Sequence, residues 1–84
     1  MKNREVLLPE LGIRVDGFDP KTNTVYEFLG DYWHGNPNVY YAHNYHPVRK
    51  VSFGQLFDET VERFFLLRRS GYNLNVIWEG DFNG

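Results

Sequence analysis

Two carboxylates, Asp16 and Glu27, are spaced so that a hairpin brings them together. Asp19-Pro20-Lys21-Thr22-Asn23 carries turn chemistry. Proline presets φ at the second position of a type I turn, Asp19 accepts from the turn backbone, and Asn23 tolerates the left-handed conformation. With Asp19 opposite Thr24, Asp16 falls opposite Glu27 on the same face, where Cβ atoms of opposed residues lie about 4.5–5.5 Å apart. Carboxylates that close repel unless positive charge sits between them. A divalent cation with oxygen ligands answers this. Mg²⁺, commonly held by one or two carboxylates plus waters and phosphate oxygens, suits it, as does Mn²⁺. Such a cation activates a water and stabilises charge on a phosphodiester in transit. The alternative is an exposed hairpin face whose acids are only solvated, and a one-residue bulge would break the register.

Gly30-Asp31-Tyr32-Trp33-His34-Gly35 follows directly. His34 has the chemistry of a general base or acid near neutral pH. Tyr32 and Trp33 are large rings on a loop, suited to stacking on bases or wedging between them. Alternatively both rings plug the sheet edge and His34 satisfies a backbone carbonyl. Asp31 reads equally as a third metal-site carboxylate, a partner orienting His34, or a loop acid. His43 and His46 have a metal-ligand spacing, but without cysteine or a third ligand a structural zinc is not expected. Arg49, Lys50, Arg63, Arg68 and Arg69 form a candidate phosphate-tracking patch. Pairing of the helical members with Asp58, Glu59 and Glu62 explains them as well, and the helix dipole favours Arg68 and Arg69 in a last turn. Glu79 and Asp81 either support the metal site from behind or, the reading preferred, only solubilise the chain.

These residues must be held by a small set of elements. Residues 4–8 read as a short strand stopped by Pro9, and Ile13–Phe18 as a second. Thr24–Leu29 is the strongest strand by β-branched and aromatic content, closing a hairpin with a three-residue-type loop. Gly30–Lys50 is broken by glycine, asparagine and proline and reads as a long, aromatic-rich functional loop. Ser52 with Gln55 is a capping box opening a helix. Phe53, Phe57, Val61 and Phe64 recur at helical spacing, with Leu56 and Leu67 widening the stripe. Gly71 is a left-handed stop. Asn73–Trp78 is a final strand, and a helix between strands predicts that it runs parallel to 24–29 through a right-handed crossover. The expected fold is a mixed α/β sheet with one principal helix on a face.

The 84 residues make one domain, 1–84. So short a chain buries only roughly 60–65% of its unfolded surface, so its core needs large side chains; aromatics at 18% supply them. No cysteine means no disulfide framework and no thiolate metal site. A net charge of −2 argues against gripping nucleic acid by bulk charge, but metal-binding carboxylates depress net charge and a local basic patch can still track phosphates. Apolar runs are far short of a membrane span, and no basic stretch leads into an apolar run at the N-terminus. A soluble, cytoplasmic protein is expected.

Val15-Asp16-Gly17-Phe18-Asp19-Pro20, then Tyr26-Glu27-Phe28-Leu29-Gly30-Asp31-Tyr32-Trp33-His34-Gly35-Asn36-Pro37, then Gly71-Tyr72 and Val76-Ile77-Trp78-Glu79, resemble the core of very short patch repair endonucleases. These are a branch of the restriction-endonuclease-like nucleases, and homing-type and phage-encoded relatives share the pattern. The resemblance runs from Ile13 to Phe82. It implies a restriction-endonuclease-like core and Mg²⁺-dependent hydrolysis of DNA. Asp16 matches the family's metal-binding aspartate, His34 its catalytic-site histidine, and Tyr32 and Trp33 the aromatics that wedge into the duplex. Glu27 matches the acidic position of the wider Asp…Glu-x-Lys motif. The chain also departs from the family. Leu29 stands where that motif has lysine and the repair enzyme histidine, and the cysteine-histidine zinc ligands are missing. Only fifteen residues precede Asp16, so the family's N-terminal helix, with its glutamate near the metal, is short or absent. Glu5 or Glu10 are the available substitutes, and a homodimer is another way to complete the site. The expected activity is metal-dependent DNA cleavage, with Arg49 and Lys50 joining Tyr32 and Trp33 on the DNA. The alternative is an inactive DNA-binding or oligomeric relative of the same fold.

Overall fold

The computed structural model describes residues 5–83. Its first strand, β1 (Val6–Leu8), pairs antiparallel with β2 (Ile13–Val15), Val6 opposite Val15. The strand expected over residues 4–8 is thus present from Val6; Arg4 lies outside the described residues. β3 (Gly17–Asp19) pairs antiparallel with β4 (Thr24–Leu29), Asp19 opposite Thr24 as the turn chemistry predicts. Pro20–Asn23 close the hairpin, one residue more than the three-residue loop expected. Asp19 Oδ1 accepts from the Lys21 amide at 3.0 Å, and Asn23 takes φ 56°.

The single strand expected over Ile13–Phe18 is two strands, broken at Asp16. The cause is local. Asp16 Oδ2 accepts the Phe28 amide at 2.8 Å, so a side chain replaces the next backbone rung. The chain bends there, and β2 joins β1 instead of continuing along β4.

The segment expected to be a loop, Gly30–Lys50, contains structure. α1 (Asp31–His34) is one helical turn ended by Gly35 in the left-handed conformation. β5 (Tyr45–His46) and β6 (Val51–Ser52) form a small antiparallel pair. α2 (Phe53–Arg69) begins at Ser52, whose Oγ accepts the Gln55 amide at 3.1 Å. The reciprocal half of the capping box is not made, because the Gln55 side chain reaches Glu59 instead. Gly71, at φ 97°, reverses the chain as expected. β7 (Asn73–Trp78) then runs parallel to β4, Glu27 beside Val76, and α3 (Glu79–Asn83) follows it.

The principal sheet has the order β3-β4-β7. Val25 of β4 and Leu67 of α2 share a core with Leu8, Val15 and Tyr72. Alternation along β4 therefore turns Val25, Glu27 and Leu29 inward, while Phe28 on the opposite face is exposed. Glu27 thus lies on the buried side of the central strand. Among the described residues no helix is long and apolar enough to cross a membrane.

Candidate active site

Strand alternation places Glu27 between two core residues, and it is only 3% exposed. A carboxylate there needs a partner, and Arg63 of α2 supplies one. Arg63 Nε donates to Glu27 Oε1 at 2.5 Å, and Arg63 Nη2 donates to the Arg14 carbonyl. Burial pushes the Glu27 carboxyl above its ordinary value; the Arg63 hydrogen bond and charge work against this, and the neighbouring Asp16 charge adds to it.

Asp16, at the break between β2 and β3, lines the same pocket. That pocket, about 210 Å³, is walled by Glu5, Arg14, Asp16, Glu27, Phe28, Leu29, His34 and Arg63. The three residues expected to be catalytic, Asp16, Glu27 and His34, therefore line one pocket. Glu5 joins them, whereas Glu10 accepts the Tyr72 hydroxyl.

His34 ends α1 and is held from behind by α2. Its Nδ1 lies 3.1 Å from Thr60 Oγ1, and that hydroxyl donates to the Leu56 carbonyl at 3.0 Å. With its one proton committed, Thr60 can only accept, so Nδ1 carries the imidazole proton. Nε2 is then the basic nitrogen, and it makes no hydrogen bond among the described residues. Burial lowers the His34 pKa, the Arg63 and Arg49 charges lower it further, and the Asp16 carboxylate opposes them.

Thr60 and Arg63 share one stripe of α2 with Leu56 and Leu67. Reading α2 by its apolar residues alone assigned Arg63 to the surface. The signal was two polar residues at core-facing helical spacing.

The loop is fixed by side-chain bonds. Asn36 Nδ2 donates to Asp31 Oδ1 at 2.8 Å, and Asn36 Oδ1 accepts the Asn38 amide at 2.9 Å. Glu79 Oε1 accepts the Asp31 amide at 3.2 Å, tying the end of β7 to the start of α1. Asp31 is therefore a loop-organising acid; Thr60 is the residue that orients His34. Glu79 does structural work beyond solubility. Gly35 is required on two counts, its φ of 65° and a would-be Cβ only 2.2 Å from the Phe53 carbonyl oxygen.

The aromatic pair divides. Tyr32 is half-buried, its ring 4.0 Å from that of His46 and 5.8 Å from that of Phe53. Trp33 is 50% exposed. It lines a second pocket, about 180 Å³, with His34, Arg49, Leu56, Glu59, Thr60 and Arg63. Arg49 is exposed and pairs with Glu59 at 3.3 Å, and Lys50 sits exposed in the β5–β6 turn at φ 59°. His46 is fully buried, its Nδ1 accepting the Val48 and Arg49 amides, while His43 is exposed and stacks on Tyr41. The two histidines do not converge as ligands.

Among the described residues no three His, Asp or Glu side chains form a metal-holding group. The pair Asp16 and Glu27 still fits a hard cation, since Mg²⁺ needs only one or two carboxylates and completes its shell with waters and phosphate oxygens. Asp16 Oδ2 accepts the Phe28 amide, and the Glu27 carboxylate accepts Arg63 at Oε1 together with a backbone hydrogen bond from Asp16. No family model, curated protein or solved structure matches the chain.

Proposed function

We propose that this chain is a metal-dependent DNA endonuclease with a restriction-endonuclease-like core, similar to the very short patch repair type. The observation that carries the reading is the convergence of Asp16, Glu27 and His34 on one pocket, with the free nitrogen of His34 selected by Thr60. Asp16 and Glu27 would hold Mg²⁺ or Mn²⁺. When bound, the cation supplies Lewis acidity toward a phosphate oxygen and lowers the pKa of water. His34 Nε2 accepts the proton of the attacking water, and Thr60 holds the ring in the basic tautomer as charge develops. Trp33 offers its exposed face to a base beside the cleaved bond, a stacking contact worth about 1–3 kcal/mol. Tyr32 buttresses it from the aromatic cluster. Arg49 and Lys50 reach phosphates outside the pocket.

A second reading rests on one contact. Arg63 already neutralises Glu27, and Leu29 puts no cation on β4, which is the arrangement an inactive DNA-binding relative would have. Nicking of supercoiled plasmid separates the two. Cleavage that requires Mg²⁺ or Mn²⁺ and disappears in Asp16→Asn supports the nuclease. A folded wild type that binds DNA without cutting it, alone or as a homodimer, supports the second.

A further inference from the structure

Arg63 stands on the partition between the two pockets. It lines the acidic pocket with Asp16 and Glu27, and the neighbouring one with Trp33, His34 and Arg49. Its guanidinium occupies Glu27 Oε1, on a carboxylate that would hold a cation at the acidic pair. We propose that Arg63 is a displaceable cation: it neutralises Glu27 in the metal-free protein and transfers to a phosphate oxygen of the DNA when a divalent cation takes Glu27. This rests on the nuclease reading above and names the residue that contacts the substrate phosphate.

Four features carry the inference. A guanidinium and a divalent cation repel at such a distance, so metal binding at Glu27 drives Arg63 away. The side chain has room to move. It is 33% exposed and also borders an open surface pocket with Glu62, Phe65 and Leu66. The cation would replace Arg63 as the compensating charge on buried Glu27, so the exchange leaves no buried carboxylate unpaired, at the expense of the Arg63 bond to the Arg14 carbonyl. The planar fork of arginine matches two phosphate oxygens. From α2 it brings to the acidic pocket the positive charge that Leu29 cannot bring from β4.

The test is Mn²⁺ affinity at pH 8, measured by calorimetry on the wild type, Arg63→Gln and Glu27→Gln, with plasmid cleavage alongside. Glutamine keeps a donor for Glu27 but carries no charge. Arg63→Gln is expected to bind Mn²⁺ about tenfold tighter and yet to cleave at least about 100-fold more slowly, a split that a merely structural arginine would not produce. Glu27→Gln should not bind. Equal or weaker affinity in a folded Arg63→Gln, with the wild type binding normally, overturns the displacement and leaves the nuclease reading standing. Failure of the wild type to bind Mn²⁺ overturns both. A measurement on the wild type alone covers a variant that does not fold: the ¹⁵N–¹H signal of Arg63 Nε followed through a Mg²⁺ titration. Movement that tracks metal saturation is expected, and a signal unchanged at saturation overturns the proposal.

Discussion

Thr60 sits 3.1 Å from His34 Nδ1 and donates its hydroxyl hydrogen bond to the Leu56 carbonyl 3.0 Å away. One hydroxyl therefore sets both the tautomer and the orientation of the imidazole. Thr60→Val keeps the side-chain shape and removes the acceptor. Single-turnover cleavage should slow by about 10–100-fold, the scale of a general base that is present but misaligned. Mn²⁺ affinity should stay within about twofold of wild type, because neither carboxylate is touched. Thr60→Ser should recover most of the rate. A slow Thr60→Val with an equally slow Thr60→Ser would assign the loss to packing instead.

With His34 as the proposed general base, its environment sets the expected acid limb of cleavage. Burial and the Arg63 and Arg49 charges lower its pKa, so the neutral base survives below the ordinary histidine value. Cleavage should fall on acidification only beneath that value. Arg49→Gln removes one of the charges and should move the limb upward, visible directly in the ring-proton titration of His34 by NMR. The stability effect has a definite sign. Because the unfolded chain takes up the proton first, His34 contributes stability that is full above about pH 6.5 and lost as pH falls from there through the lowered folded value. The His34→Gln variant should show a flatter stability profile across that window.

The hairpin and its register were legible because Asp19 and Asn23 carry their turn chemistry in their own side chains. The cap at Ser52 and the stop at Gly71 were legible for the same local reason, and the parallel return of β7 from the helix that lies between two strands. Asp16 was harder. Its break in the strand depends on a bond to the Phe28 amide twelve residues away, which no local propensity records. The order within Gly30–Lys50 comes from the Asn36 to Asp31 bond inside the segment and from the Glu79 to Asp31 bond, which exists only once β7 has returned alongside. The pairing of Arg63 with Glu27 was hidden because Arg63 reads equally as a phosphate contact or a partner of the helix acids, although its spacing from Leu56, Thr60 and Leu67 marks it as facing inward.

Asp16 offers a clean separation of chemistry from folding. Its Oδ2 holds the Phe28 amide in an exposed bond, so Asp16→Ala loses that bond and costs about 0.5–1.5 kcal/mol. Asp16→Asn keeps an acceptor and removes the charge. The asparagine variant should melt within a few degrees of wild type while losing Mn²⁺ binding and at least about 100-fold in cleavage. Equal metal affinity in wild type and Asp16→Asn would remove Asp16 from the site.

Gly35 and Gly71 both have positive φ, but only one is crowded. A Cβ at Gly35 meets the Phe53 carbonyl oxygen at 2.2 Å, whereas one at Gly71 meets nothing within 4 Å. Gly71→Ala should cost only the left-handed backbone penalty, about 1–2 kcal/mol. Gly35→Ala must also push the start of α2 away from α1, and should cost more than about 3 kcal/mol or prevent folding. Urea denaturation of the two variants side by side tests the contrast.

Tyr32 and Trp33 are adjacent in sequence and should separate completely in effect. Tyr32 packs against His46, Phe53 and Tyr40, so Tyr32→Ala opens a cavity in the aromatic cluster and should cost about 2–4 kcal/mol of stability. Trp33 is half exposed beside the pocket of His34 and Arg49. Its replacement by alanine should change stability by no more than about 1 kcal/mol, because much of the ring already faces water. DNA affinity should respond in the opposite way. Trp33→Ala should weaken binding of a nicked or mismatched duplex by about 1–3 kcal/mol if its ring stacks on a base. Measured in Ca²⁺ to suppress cleavage, unchanged affinity in Trp33→Ala would take the stacking role from this ring, and a large loss of stability would place it in the core with Tyr32.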